Sequence, residues 1–288
     1  MSVAQELKIK RLPALAPLLA RAALPKRQSK ALNFPERSIE LAPVRYSQRQ
    51  LKRYAKSCGF SLDGNTLPAS FLHIMAFRLQ MQLMIQRDFP VAAMGCVHLN
   101  NEIIQHRAIN SSETLRMVCR LSDHELTARG VEFTFECLVY AGDECVWEDR
   151  SQYLSRRKTG IAKPAKSKPR EARRYANQEA MHIPNSTARH YALASGDFNP
   201  IHLHDLSAKV LGFKKMVVHG MWSKAACMAK LIDGGDALRC RVEFKTPVFL
   251  PSKAELHYEK GHDSTVFELR DAASGKPHLI GELSPISA

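Results

Sequence analysis

Two kinds of pattern alternate along the chain. In 114–121 (TLRMVCRL) and 133–140 (FTFECLVY) apolar and polar residues nearly alternate, the period of half-buried antiparallel strands. Residues 69–86 and 221–232 are apolar on nearly every helical face, and a helix without a polar face has to be covered on most sides. Around the first such helix the pattern predicts a helix at 47–58 and strands at 93–99, 103–108, 114–121, 132–141 and 144–154. After the second it predicts strands at 238–244, 254–260, 264–271 and 278–283. The order is the same in both halves: one enclosed helix, then a meander of strands.

Between the halves lies 156–174, RRKTGIAKPAKSKPREARR, with nine Lys or Arg, one acid and two prolines. Its composition is that of a solvated linker. The expected organisation is therefore an N-terminal unit at 1–155, a basic linker at 156–174 and a C-terminal unit at 175–288. A curved antiparallel sheet wrapped around each apolar helix satisfies both patterns, which is the α+β hotdog fold present twice. A short internal match supports duplication: Tyr54-Ala-Lys-Ser-Cys-Gly59-Phe60 aligns with Tyr191-Ala-Leu-Ala-Ser-Gly196-Asp197. Residues 1–40 carry no readable role.

Composition narrows the class without choosing a function. The 288 residues are 45% hydrophobic and 24% charged, which excludes wholesale disorder and a disulfide mini-scaffold. No stretch is long and apolar enough for a membrane span, and the basic N-terminus, interrupted by Pro13 and Pro17, does not read as a secretory peptide. Seven scattered cysteines without C-x-x-C support neither a disulfide framework nor a cysteine zinc site, so a cytoplasmic location is expected. With 42 Lys and Arg against 28 acids the net charge is +14, which points to an anionic partner. The linker has no interleaved aromatics and no DNA-binding spacing occurs, so a specific nucleic-acid partner is not expected.

The halves differ in one stretch. Between Tyr191 and the second central helix the chain reads Ser195-Gly-Asp-Phe-Asn-Pro-Ile-His-Leu-His204, then Asp205, then Val217-Val-His-Gly-Met-Trp222. Singly, each residue has an ordinary structural reading. Asp197-Phe-Asn-Pro is a turn by composition, Asp205 an N-cap for a helix ending at Gly212, and His202 and His204 surface or core residues. Asp197, His202, His204 and His219 supply enough ligands for a metal, but the usual zinc spacings are absent and no cysteine joins them, so no metal is expected.

Together the residues say more. Tyr191-x-x-x-Ser195-Gly-Asp-x-Asn-Pro-x-His202, followed by His219-Gly-Met, resembles the signature of the MaoC-like hydratases. These are also called hydratase 2 or (R)-specific enoyl-CoA hydratases, and they have a hotdog fold. Phe244-Lys-Thr-Pro-Val-Phe-Leu-Pro251 resembles the family's strand after the central helix. The first half resembles the degenerate first hotdog of two-domain members: Phe60 stands where the repeat has Asp197, and nothing corresponds to His202.

The resemblance implies reversible hydration of a trans-2-enoyl thioester to a (3R)-3-hydroxyacyl thioester, in fatty-acid metabolism. It makes Asp197 and His202 the acid–base pair, with His202 as base in hydration and Asp197 orienting the water and helping to return the proton. Asn199 would hold the water or the loop, and the Gly220 N–H, at a helix start, would serve the oxyanion hole. No cofactor is implied, coenzyme A being part of the substrate. Lys214, Lys215, Arg239, Arg241 and Lys245 are candidate contacts for its phosphates by charge and nearness. The substrate carrier is coenzyme A or an acyl-carrier protein. The N-terminal hotdog would be catalytically silent and wall the acyl tunnel, with Met75, Met81 and Met84 on its helix, giving a monomeric pseudo-dimer or a homodimer. The competing readings are a thioesterase on the same fold and a non-catalytic acyl-CoA-binding or carrier-linked hotdog protein.

Overall fold

The computed structural model of the chain describes residues 5–24, 26, 32–62, 64–162, 173–232 and 237–286. The first half runs β1 (Gln5–Ile9), α1 (Leu15–Ala22), β2 (Arg37–Leu41), α2 (Gln48–Cys58), α3 (His73–Met84), β3 (Val97–Gln105), β4 (Leu115–Thr127), β5 (Gly130–Ala141) and β6 (Glu144–Arg156). The second runs β7 (Asn177–Ile183), α4 (Ser186–Ser195), a 3-10 turn (Pro200–His202), α5 (Asp205–Val210), α6 (Gly220–Leu231), β8 (Leu238–Phe244), β9 (Ser252–Lys260), β10 (Thr265–Asp271) and β11 (Pro277–Pro285). Of the expected linker, residues 163–172 lie outside the described residues. No helix among the described residues is long and apolar enough to cross a membrane.

The helices α3 and α6 are the two apolar segments of the sequence, and each is enclosed on most sides. The expected two sheets are joined into one. Its order is β1-β2-β4-β5-β6-β3-β8-β11-β10-β9-β7, antiparallel throughout except where β1 lies parallel to β2. The joint is β3 against β8, with Asn101 opposite Val242 and Ile103 opposite Cys240. Pairing there removes the two edges that separate sheets would expose. The architecture is a double hotdog in a single sheet.

The internal repeat is visible in the helices. The tyrosines Tyr54 and Tyr191 begin the matched segments on α2 and α4, and their rings lie 5.9 Å apart where the two helices pack. Both helices end on a glycine in the left-handed region, Gly59 at φ 87° and Gly196 at φ 81°. The Gly59 N–H donates to Ala55 O and the Gly196 N–H to Ala192 O, so the two caps are built at matching positions.

Three expectations change. The helix expected from 69 starts at His73, because 69–72 form turns in which the Ala69 carbonyl accepts the Trp147 indole N–H. The strands expected at 93–99 and 103–108 are the single β3. Its Asn100-Asn101-Glu102 reads as a break, but Asn101 is fully buried and bonded to Asp149 and Lys224. Residues 1–40 are not without a role. β2 pairs with β4, and α1 buries Leu15, Leu18 and Ala22 against the core beside α3.

A polar network runs through the joint. Asp149 accepts from His73 Nδ1 (2.8 Å), Asn101 Nδ2 (2.8 Å) and Ser151 Oγ (2.8 Å). Lys224 Nζ donates to Asn101 Oδ1 (2.5 Å) and Cys240 O (2.8 Å). Side chains of α3 and α6 are thereby linked through Asn101 of β3, which bonds to both Asp149 and Lys224.

Candidate active site

The site starts at the C-terminus of α4. Ser195 Oγ donates to Tyr191 O (2.8 Å) and accepts from the Asp197 N–H (3.1 Å), which holds the turn beyond Gly196. Asp197 Oδ1 then accepts from the Asn199 N–H (3.1 Å), and Asn199 Oδ1 from the Ile201 N–H (3.4 Å). Each polar side chain thus caps the backbone two residues on. Pro200 opens the 3-10 turn that ends at His202. The loop is fastened to 216–219: Val217 N donates to Ile201 O (3.1 Å), and Asp205 Oδ1 accepts from Met216 N (2.8 Å).

These bonds bring Asp197, His202 and His219 together, with ligand atoms of all three mutually within 4.8 Å. His202 Nδ1 is 2.8 Å from the Val217 carbonyl. A carbonyl accepts only from N–H, so the neutral ring carries its proton on Nδ1 and keeps Nε2 free as a base. His219 Nε2 donates to Asp197 O (2.9 Å) and lies 3.7 Å from Asp197 Oδ2. The rings of His202 and His219 stack with centroids 3.6 Å apart, and Tyr191 lies 4.8 Å from His219 on another side. Burial pushes His202 below its usual range, opposed by Asp197 and by the bond to Val217. Burial, then the neighbouring His202, pushes His219 well below its own. Both rings are neutral at pH 7.

His219 is the N-cap residue of α6, and Gly220 is its first residue, at the end where helical N–H groups lack intrahelical acceptors. A Cβ on Gly220 would lie 3.0 Å from the Phe244 ring, so only glycine fits there without movement. Two buried polar atoms in this turn, His219 Nδ1 and Ser223 Oγ, have no hydrogen-bond partner among the described residues.

Asp197 and His202 therefore meet, with Asn199 in the same loop and Gly220 following His219 at the start of α6. The candidate phosphate contacts do not converge with them as one group. Lys214 and Lys215 are exposed beyond α5, and Lys245 is exposed after Phe244 and pairs with Glu243. Arg239 and Arg241 are turned away: Leu238, Cys240 and Val242 face the core, so the arginines fall on the other face of β8, where Arg239 holds Glu102 at 2.7 Å. The expected cap at Asp205 is a correction. His204 is the N-cap of α5, its Nδ1 accepting the Leu206 N–H (3.1 Å). The other three, Asp197, His202 and His219, keep ligand atoms mutually within 4.8 Å, with the two imidazole rings stacked face to face.

Sequence reasoning missed three contributors. The Val217 carbonyl sets the His202 tautomer, and Phe244 covers Gly220; both lie in quoted segments whose contacts depend on the fold. Arg78, from α3 of the other half, gave no signal. Its Nη2 is 2.7 Å from where a Gly196 Cβ would be, and its buried Nε has no hydrogen-bond partner among the described residues.

The chain is similar to known proteins in sequence and in fold. The sequence profile of the MaoC-like domain matches residues 165–280. The 3-hydroxyacyl-thioester dehydratase X of Mycobacterium tuberculosis is 30% identical over 248 residues, covering 85% of this chain and 88% of that protein. A crystal structure of HtdX from M. tuberculosis superimposes with a TM-score of 0.76 at 28% identity, over 87% of this chain and 100% of that one. A MaoC-like dehydratase from Phytophthora capsici shares the fold at a TM-score of 0.69 and 20% identity, over 90% of this chain and 98% of that one.

Proposed function

The chain belongs to the MaoC-like dehydratases, and from that premise we propose that it interconverts trans-2-enoyl-CoA and (3R)-3-hydroxyacyl-CoA. The observation that carries the reading is the free Nε2 of His202 beside the Asp197 carboxylate, with the first turn of α6 next to both.

In hydration, His202 Nε2 takes a proton from water as the water oxygen bonds to C3. Asp197 accepts a hydrogen bond from the water's other O–H, which stays with the oxygen, and so fixes the attack. The π electrons move towards C2 and the thioester oxygen, where the Gly220 N–H donates in the positive field of the helix start. Such a donor is typically worth about 3 kcal/mol of transition-state stabilisation. The proton held by the pair is returned to C2, so H and OH have added and the pair is restored. Dehydration is the reverse. Asn199 holds the loop through its cap to Ile201. No oxidation state changes, so the step needs no redox cofactor, and coenzyme A leaves with the product.

The first hotdog is silent in this reading. Phe60 occupies the position of Asp197 and packs towards Tyr54. Its task is to pair with the second, as the other subunit of a hotdog dimer would, and to wall the acyl site with α3, where Met75, Met81 and Met84 are buried.

The test follows the enoyl-thioester absorbance of crotonyl-CoA with wild type, Asp197→Asn and His202→Ala. Wild type consumes the band, each variant loses about 10²–10⁴-fold, and a (3R)-specific dehydrogenase oxidises the product. A wild type inert on short, medium and long enoyl-CoAs, or a product of the other hand, overturns the proposal.

A further inference from the structure

The positive charge of the chain is not spread evenly. On α2 the buried face is Leu51, Tyr54, Ala55 and Cys58, and the exposed face carries Arg49, Lys52, Arg53 and Lys56, with exposed Arg45 just before the helix. Neither α2 nor α4 contains an acid. None of these five cations has an ion-pair partner among the described residues. Several arginines elsewhere are paired, among them Arg107 with Glu113, Arg120 with Glu136 and Arg239 with Glu102. Unpaired cations repel one another, and a stripe of them held on one helix is electrostatically unfavourable until an anionic surface covers it.

The stripe lies beside the catalytic loop. Its helix packs on α4, and Gln50 Nε2 donates to Ala194 O (3.1 Å), two residues before Gly196. Across that contact α4 adds exposed Arg189 and His190, while Leu193 and Phe198, 56% and 40% exposed, lead into the loop. Eleven helical residues span about 16 Å, and α4 widens the surface further, which exceeds what the phosphates of one nucleotide carrier cover.

Resting on the function proposed above, we propose that this face docks an acidic acyl-carrier protein. An acidic surface on the carrier meets α2 and α4, the apolar contacts fall on Leu193 and Phe198, and the carrier's phosphopantetheine arm brings the thioester to Asp197 and His202. Charge complementarity of this kind acts chiefly on encounter, with gains of about 10–10³-fold in on-rate at low ionic strength.

The experiment compares the full-length wild type with Arg49→Glu/Arg53→Glu and Lys52→Glu/Lys56→Glu. The same 3-hydroxyacyl group is supplied on an acidic acyl-carrier protein and on coenzyme A, at low and physiological salt. Each reversal lowers kcat/KM for the carrier-bound substrate at least tenfold, through KM. Values for the CoA thioester stay within twofold of wild type, which also shows that the variants fold. Added salt reproduces the loss in wild type. Equal losses on both substrates, or no loss on the carrier-bound one, overturn the proposal. Fluorescence anisotropy of a labelled, unacylated carrier protein reads docking apart from chemistry, so an enzyme inert on both thioesters sinks the function while this arm still decides the surface. Single-stranded RNA and anionic lipid vesicles are run alongside. Charge reversal that abolishes binding to either, and leaves carrier binding unchanged, overturns it as well.

Discussion

His202 and His219 lie face to face, 3.6 Å between ring centroids and 25° between planes, although only His202 ends the loop that carries Asp197. Two imidazolium rings cannot share that position without strong repulsion, and burial already disfavours either charge. A base must be unprotonated to act, and a pKa depressed below 6.5 keeps it so to lower pH. The acidic limb of the kcat/KM profile for the free enzyme therefore has its midpoint below pH 6.5. A midpoint above that value, measured with a substrate that does not itself titrate, contradicts the assignment of His202 as base.

Gly220 tests the other end of the chemistry. Its φ is ordinary for a helix, so alanine is not excluded by the backbone; the obstacle is the Phe244 ring, 3.0 and 3.1 Å from the added methyl. Either the ring or the first turn of α6 moves. Gly220→Ala lowers kcat about tenfold or more, because a donor displaced by a few tenths of an ångström no longer fits the oxyanion. Shrinking the obstacle with Phe244→Leu in the Gly220→Ala background recovers part of that loss, a coupling that a double-mutant cycle measures. Gly220→Ala with wild-type kcat would remove Gly220 from the mechanism.

Much of this arrangement could be read from residues in order, and the exceptions share a cause. The helices α3 and α6 were legible because a segment apolar all round has few places to go, and β4 and β5 because alternation needs no partner to be seen. The first helix, α1, was hidden by Pro13 and Pro17, but Pro17 falls in its first turn, where no N–H donor is required. Asn101 disguised β3, since its polarity is satisfied by Asp149, Ser151 and Lys224, all remote in sequence. In the site, Asp197, Asn199 and His202 sit in one short loop with local hydrogen bonds, which spacing can record. The stack on His219, the Val217 carbonyl, the Phe244 ring over Gly220 and Arg78 beside Gly196 are contacts between elements, and spacing says nothing of them.

Lys224 lies one turn beyond Gly220 and is fully buried, with its ammonium held by Asn101 and the Cys240 carbonyl. Burial lowers its pKa, and the nearby Cys240, Asp149 and Glu102 act against that. Lys224→Met is close to isosteric, yet it strips the donors from buried acceptors on β3 and β8. The expected loss is about 3 kcal/mol of unfolding free energy, read from the urea midpoint at unchanged slope. A change below about 0.5 kcal/mol would mean that the network adds little to the joint between the halves.

Acid should destabilise the protein from a higher pH than its carboxylates alone would dictate. His98 is pushed down to about 3, first by burial and then by His73, and its ring is stacked on Tyr153 and tilted against Phe244. His202, His219 and His278 are also depressed. Below about pH 6.5 the unfolded chain takes up protons that the folded chain refuses, so stability rises with pH and is lost as pH falls. For His98 the window runs from about 6.5 down to about 3, and within it one refused proton costs about 1.4 kcal/mol per pH unit. His98→Leu removes that proton from the balance, and its buried Nε2 has no hydrogen-bond partner among the described residues. Urea titrations at intervals from pH 7 to pH 4 should therefore give a shallower fall in stability for His98→Leu than for wild type, by close to one proton. Parallel curves for the two proteins would show that His98 is protonated in the folded state.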